Sequence, residues 1–360
     1  MTENMIDLRM LHALQAANRR REASELPPRL KVDGAQLLNP KGKPIKLRGI
    51  NLGCVGEDGP QDATSIAALG ANCARVALRF WGHYGDPAVD ARDNNGFAFL
   101  RHASFTDWID KITACSEAGL WVIAFIDSNC GQSGTQNAQT VAYCDPYRTW
   151  GAPGRNFYTD ASMRRLFTQI VWPAAAARLR TIARIALLEV HPEPAVGRGP
   201  EYAAAVARVQ LEAIAAIREV DSDTPFLLGA RDAYDIMLCE EAWLAERHDC
   251  VYTGNLLSGW VTNPDKFDRG LAALTAMRDA RNVPIHVQQL GRKTSDDRDL
   301  AHMRRALDKM TEAGVGYAWW QWKQNTSSPD GYGLNFKTDD GNGWTQKTDE
   351  LAALEQVWSD

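Results

Sequence analysis

Short apolar runs alternating with helical stretches constrain this chain more than any other feature. Strand candidates are Leu47–Leu52, Cys73–Leu78, Trp121–Ile126, Ile185–Val190, Phe226–Leu228, Cys250–Thr253, Ile285–Gln288 and Gly316–Trp320. Between them lie amphipathic or Ala-rich stretches such as Asp107–Ala118, Tyr202–Val220, Lys266–Arg281 and Asp297–Glu312. Apolar strands separated by helices imply a parallel sheet covered by helices. Eight such units predict a closed (β/α)8 barrel rather than an open, doubly wound sheet. No G-x-G-x-x-G or G-x-x-x-x-G-K-[ST] follows the first strand, so a nucleotide-binding fold has no support. The length of 360 residues suits one barrel, and a hydrophobic content of 45% can fill its core.

Two pieces precede the barrel. Met5–Arg21 reads as a helix with Leu8, Leu11 and Leu14 on one stripe, ended by Leu26-Pro27-Pro28. It either docks to a partner or packs under the barrel. A hairpin follows, Leu30–Gly34 and Gln36–Asn39, with Pro40–Lys43 as its turn. The chain therefore divides into an N-terminal helix and linker over 1–29 and a barrel over 30–360. The net charge of −5 gives no pull toward nucleic acid or an anionic membrane, and Arg19–Arg21 suits a helix end. Seven scattered cysteines without a C-x-x-C pair argue against a zinc knuckle or a disulfide framework. Cys130 and Cys144 share a long loop and could pair in an exported chain, though free thiols are the expectation. No metal or other cofactor is expected. Without a signal-peptide pattern or a membrane-length apolar run, the chain reads as soluble and made in the cytoplasm.

In such barrels, chemistry sits at the C-terminal strand ends. Four segments there matter: Val32–Asn51; Gly70-Ala-Asn-Cys-Ala-Arg75-Val; Glu189-Val-His-Pro-Glu193-Pro194; and Trp319-Trp-Gln-Trp322. In this order and spacing the chain resembles family 5 glycoside hydrolases, the cellulase and mannanase group. The resemblance implies a barrel that binds β-linked polysaccharide or oligosaccharide. It implies Glu193 as acid/base, Arg75 as the active-site arginine, and Trp322 as the closing tryptophan that floors the sugar site. The departures fall in the same pocket. The seventh strand should end in Gly-Glu-Phe-Gly with glutamate as nucleophile, and here it reads Gln288-Gln289-Leu290-Gly291. Pro192 replaces the asparagine before the acid/base. Asn255-Leu256-Leu257 replaces a His-x-Tyr, and Asp127, or Asn129 if the alignment slips, stands where a histidine belongs.

A retaining glycosidase needs two carboxyl groups about 5–5.5 Å apart. A glutamine amide has the shape of the missing one but is neutral and far less nucleophilic, which closes the covalent route. Glu193 also loses the negative neighbour that would raise its pKa. The expected function is glycan binding with weak or absent hydrolysis. An inverting route remains open with Glu193 as acid and a base about 6.5–9.5 Å away, for which Asp127, Asp232 and Glu57 are candidates. Pro192 argues against substrate assistance. His191-Pro-Glu193 lacks the P-C-x-x-C of a zinc deaminase, so His191 reads as a packed barrel histidine. No G-x-S-x-G occurs. The plainer reading of Glu193 is an ion pair with Arg75.

Trp81, Trp150, Trp260, Trp320 and Trp322 fall in loops or at strand ends, where aromatic faces can stack on sugar rings; Trp108 and Trp243 read as core. Long loops, Phe80–His102, Ser128–Thr159 and Lys323–Gln346, carry Tyr147, Trp150, Tyr332 and Trp344. They can wall a groove or contact other protein subunits. That keeps a second class open, a virion-associated structural barrel of a phage tail or another cell-envelope assembly, with contacts through the N-terminal helix and these loops.

Overall fold

A computed structural model describes residues 26–52, 58–78, 103–126, 161–192, 200–229, 249–257, 259–297 and 300–359. The N-terminal helix expectation and the long loops Phe80–His102 and Ser128–Thr159 lie outside the described residues. The barrel strands are β3 (Arg48–Leu52), β4 (Cys73–Leu78), β5 (Trp121–Ile126), β6 (Ile185–Glu189), β7 (Phe226–Gly229), β8 (Cys250–Thr253), β10 (His286–Gly291) and β11 (Gly316–Trp319). Together with the two-residue β9 (Leu256–Leu257) they form a nine-stranded sheet in the order β8-β7-β6-β5-β4-β3-β11-β10-β9. Its pairings are parallel. A parallel bridge between Tyr252 of β8 and Ile285, just before β10, brings the sixth and seventh barrel strands together and closes the predicted barrel. The seventh strand runs on to Gly291, three residues beyond its expected end at Gln288.

The described helices are α1 (Asp62–Ala68), α2 (Ala103–Glu117), α3 (Ala161–Leu166), α4 (Trp172–Leu179), α5 (Pro200–Arg218), α6 (Pro264–Arg281), α7 (Ala301–Glu312) and α8 (Thr348–Trp358), with a π-turn over Phe167–Val171 between α3 and α4. Strand alternation sends Ile50, Val76, Leu188 and Val287 outward, into one core with Trp108, Trp172, Phe267 and Leu354 of the helices. It sends Leu47, Ile123, Leu187, Leu227 and Val251 inward, to a second cluster that Leu30 and Leu37 of the leading hairpin complete. The hairpin plugs the N-terminal mouth, which leaves the C-terminal mouth for a site.

The hairpin differs from expectation. β1 (Lys31–Asp33) and β2 (Gln36–Leu38) are joined at Gly34-Ala35, where Gly34 takes φ +53. Pro40–Lys43 belongs to a second turn, in which Gly42 N donates to Asn39 O and a bridge pairs Leu38 with Pro44. Glycine, free of a Cβ penalty at positive φ, sets both turns. Just upstream, buried Arg29 donates to the carbonyls of Leu179, Arg180 and Ile182 and so caps the end of α4. The expected loop after the eighth strand instead contains a small sheet of β12 (Lys323–Gln324), β13 (Asn335–Lys337) and β14 (Trp344–Gln346).

Gly49 sets how closely β3 approaches β4, because a Cβ there would stand 1.7 Å from the Cys73 carbonyl oxygen. Gly49→Ala is expected to cost about 3 kcal/mol or more, by forcing the backbone of two central strands apart. Gly42→Ala, whose Cβ would meet nothing within 4 Å, is expected to cost only the strain of φ +75, about 1–2 kcal/mol. Urea unfolding midpoints of the two variants check the difference.

Candidate active site

Arg75 is the centre of the described site. It leaves β4 inward, is fully buried, and donates through Nε and Nη2 to the two carboxylate oxygens of Glu189 at 2.6 and 2.9 Å. Its Nη1 donates to Asn51 Oδ1 at 2.6 Å. The guanidinium also lies over the Phe125 ring, 3.7 Å from its centroid. Asn51 turns its amide the other way, with Nδ2 within 3.1 Å of the Gln288 and Ala318 carbonyls. This polar chain crosses the barrel interior from β6 through β4 and β3 to β10 and β11.

Glu189 was not singled out from the sequence, although its signal was there: a carboxylate closing an apolar strand, on the inward parity of an arginine two strands away. The register of β6 supplies the missing step. A slip between the pairs Val122–Ile185 and Ile123–Leu187 puts Ala186 and Leu187 together on the inner side, and Glu189 then follows inward.

A similar slip governs the seventh strand. Val287 and Leu290 both face the helices, yet they pair with Tyr317 and Trp319, which are only two residues apart. The extra residue leaves Gln288 and Gln289 together on the interior side, 0% and 4% exposed. Gln288 N donates to Thr253 Oγ1 at 2.9 Å, while its side-chain amide finds no partner among the described residues. Asn255 is buried on the turn between β8 and β9, and Leu257 of β9 pairs with Gly291. The pocket side of strands six and seven therefore brings neutral amides together.

Of the two eighth-strand tryptophans expected to face a sugar, only Trp320 keeps an accessible position on the interior side. Trp322 is 3% exposed and belongs to the outer core, and its carbonyl accepts from Asn335 N and Nδ2. It offers no face to a ligand. Trp320 is half-buried and packs on the inward-facing Ala77 and Phe125. A continued strand would have put both on one face, but β11 stops at Trp319 and the chain turns. Trp260 is core as well, with its ring against Gly270 and Lys266 Nζ 4.4 Å from its centroid. Glu193, Asp127, Asp232, Glu57, Trp81 and Trp150 lie outside the described residues.

His191 is buried just after β6 with the Phe167 ring edge-on, 6.3 Å between centroids. Burial pushes its pKa down to about 3, as it does for His286 at the start of β10, where the Arg75 charge adds to the effect. Both imidazoles are neutral at ordinary pH. Among the described residues no group of His, Cys, Asp or Glu could hold a metal ion, and no helix is long and apolar enough to cross a membrane.

A family model described as cellulase (glycosyl hydrolase family 5) matches residues 38–326. Solved structures share the fold. An endogalactoceramidase is 17% identical, over 91% of this chain and 84% of its own, with a TM-score of 0.69. The catalytic domain of a mannanase from Streptomyces sp. SirexAA-E is 16% identical over 93% of both chains, TM-score 0.62. An endocellulase from Pyrococcus horikoshii in complex with cellotetraose is 16% identical, over 93% of this chain and 100% of its own, TM-score 0.63. No curated protein matches the chain.

Two outcomes follow from the buried ionisable groups. Glu189→Leu or Arg75→Met alone is expected to cost about 3–5 kcal/mol, because each strands the other charge in the interior, whereas the double variant Arg75→Met/Glu189→Leu costs less than the sum. Chemical denaturation of the three variants measures this. For the histidines, the unfolded chain gains protons below its ordinary pKa of 6.5, and the native state resists until about 3. Their contribution is complete above pH 6.5 and is lost progressively as pH falls toward 3. Urea midpoints between pH 7 and 4.5 should fall more steeply for the wild type than for His191→Gln/His286→Gln.

Proposed function

The chain belongs to glycosyl hydrolase family 5, and we propose that it is a glycan-directed member that binds β-linked oligosaccharide at the C-terminal mouth while hydrolysing it very slowly or not at all. One observation carries this reading. Gln289 lies on the interior side of the seventh strand end, and the family resemblance puts the carboxylate nucleophile of a retaining mechanism at that strand end. Its amide is neutral and cannot form the covalent glycosyl intermediate. Named relatives of the same fold, a mannanase and an endocellulase complexed with cellotetraose, point to β-linked mannan and glucan oligomers as the first ligands to try.

In this reading Trp320 supplies the stacking face, supported by its partial exposure above Ala77 and Phe125. The neutral amides of Asn255 and Gln289 suit sugar hydroxyls, which both donate and accept hydrogen bonds. Arg75, held on three sides by Glu189 and Asn51, keeps the strand ends in register and leaves proton donation to Glu193.

Calorimetry with cello- and manno-oligosaccharides is expected to show binding that weakens about tenfold in Trp320→Ala, a loss of about 1.4 kcal/mol. Hydrolysis should stay near background in the wild type and rise in Gln289→Glu, which restores the pair of carboxyls. Wild-type turnover that persists in Gln289→Ala and vanishes in Glu193→Gln would instead establish an inverting mechanism and end the inactive reading. Absence of any glycan binding would leave the barrel as a structural component.

A further inference from the structure

A second buried charged cluster, apart from Arg75 and Glu189, joins the small sheet after the eighth strand to the end of the seventh. Arg292, the residue after β10, is buried, and its Nη2 donates to Glu350 Oε1 of α8 at 3.1 Å. Its Nε stands 3.4 Å from Asp297 Oδ2, and His302 Nδ1 lies 3.1 Å from the other oxygen of Asp297. Lys347, just before α8, is buried as well. Its Nζ donates to Thr294 Oγ1 and to the Gly331 carbonyl, both at 2.8 Å. The Thr294 hydroxyl gives its own hydrogen to Glu350 Oε1 at 2.7 Å.

Three segments therefore meet at Lys347: residues 292–297 beyond β10, residues 330–335 leading into β13, and the start of α8. Gly331 permits the meeting, because a Cβ there would stand 2.2 Å from Gln324 Oε1. The Gly331 carbonyl also accepts from Thr294 N at 3.4 Å, and the Leu334 carbonyl accepts from Lys347 N at 2.9 Å. On its other side the segment is bonded to Gln321, whose N donates to Tyr332 O and whose O accepts from Leu334 N. Gln321 follows Trp320 directly. Residues 330–335 thus form a strap between the end of the seventh strand and the backbone beside Trp320.

Both groups that accept from the Lys347 ammonium are neutral, a hydroxyl and a carbonyl, so the ion gives up water without a carboxylate in return. Burial accordingly pulls its pKa from the ordinary 10.5 down to about 8; Glu350 and Asp330 pull the other way, and Arg292 adds to the fall. Once the strap lifts and the amine meets water, the ordinary value returns. Between the two values the open form binds more protons than the closed one, so protons favour opening. The penalty on closure is complete below the lower value and disappears as pH rises toward 10.5. We propose that Lys347 is a proton-linked clasp: proton uptake favours release of the strap from the end of the seventh strand, and the neutral amine favours closure beside Trp320. His302 titrates in a lower range and is not the switch. The clasp does not depend on whether the mouth cleaves or only binds glycans.

Hydrogen exchange of the full chain, corrected for the intrinsic rate at each pH, tests this. The amides of Leu334, Asn335 and Lys347 are expected to be less protected than those of β4 and β5, which marks release without unfolding of the barrel. Their protection should rise about tenfold from pH 7 to pH 9, as the linkage between the two pKa values requires. In Lys347→Met, which keeps the aliphatic stem, protection should not change with pH. In Lys347→Arg, which holds its proton throughout, it should be low at both pH values. Circular dichroism confirms each fold. If Lys347→Met does not fold, side-chain NMR of the wild-type lysines decides, with one lysine expected to titrate well below the rest; a uniform set would overturn the clasp. Level wild-type protection from pH 7 to pH 9, an equal rise in Lys347→Met, or strap amides that exchange only together with β4 and β5 would also overturn it.

Discussion

The barrel depends on one buried ion pair. Arg75 and Glu189 are both withdrawn from water, and desolvating two charges costs several kcal/mol per ion. What offsets that cost is geometry: two parallel hydrogen bonds to the carboxylate, a third to Asn51, and the Phe125 ring beneath the guanidinium. Asn51 then carries the network to the carbonyls of Gln288 and Ala318. Strands from opposite sides of the barrel are tied at one level, just below the mouth where a ligand would sit. An apolar filling could be as stable, but it would not fix the strand ends by direction as hydrogen bonds do.

That level also determines what stands above it. The slip in the seventh strand turns two successive residues inward, and both are glutamines. Amides of this kind can hold a hydroxyl-rich ligand, yet they supply neither the negative charge nor the nucleophile of a retaining hydrolase. The lower end of the barrel differs in kind. There the leading hairpin covers an aliphatic interior of Leu47, Ile123, Leu187, Leu227 and Val251.

Much of the fold was legible because its strands are short and apolar between amphipathic helices; Cys73–Leu78, Trp121–Ile126 and Cys250–Thr253 stand where the pattern puts them. Less of the site was legible. Trp322 has the place in the motif of a sugar platform, but the turn after Trp319 buries it and leaves Trp320 on the interior. Glu189 looked like one more strand residue until the register of β6 turned it toward Arg75. The hairpin turn moved to Gly34-Ala35 because two glycines competed for it, and both take positive φ.

The sequence by itself determined the barrel, since period-two and helical patterns are local and repeat along the chain, and it determined that position 289 carries a neutral amide. Only the tertiary structure decided which side chains share the interior. Register slips, the end of β11 and the partner of Arg75 are set by contacts between strands far apart in sequence, and a single extra residue in a strand reverses the face of everything that follows it.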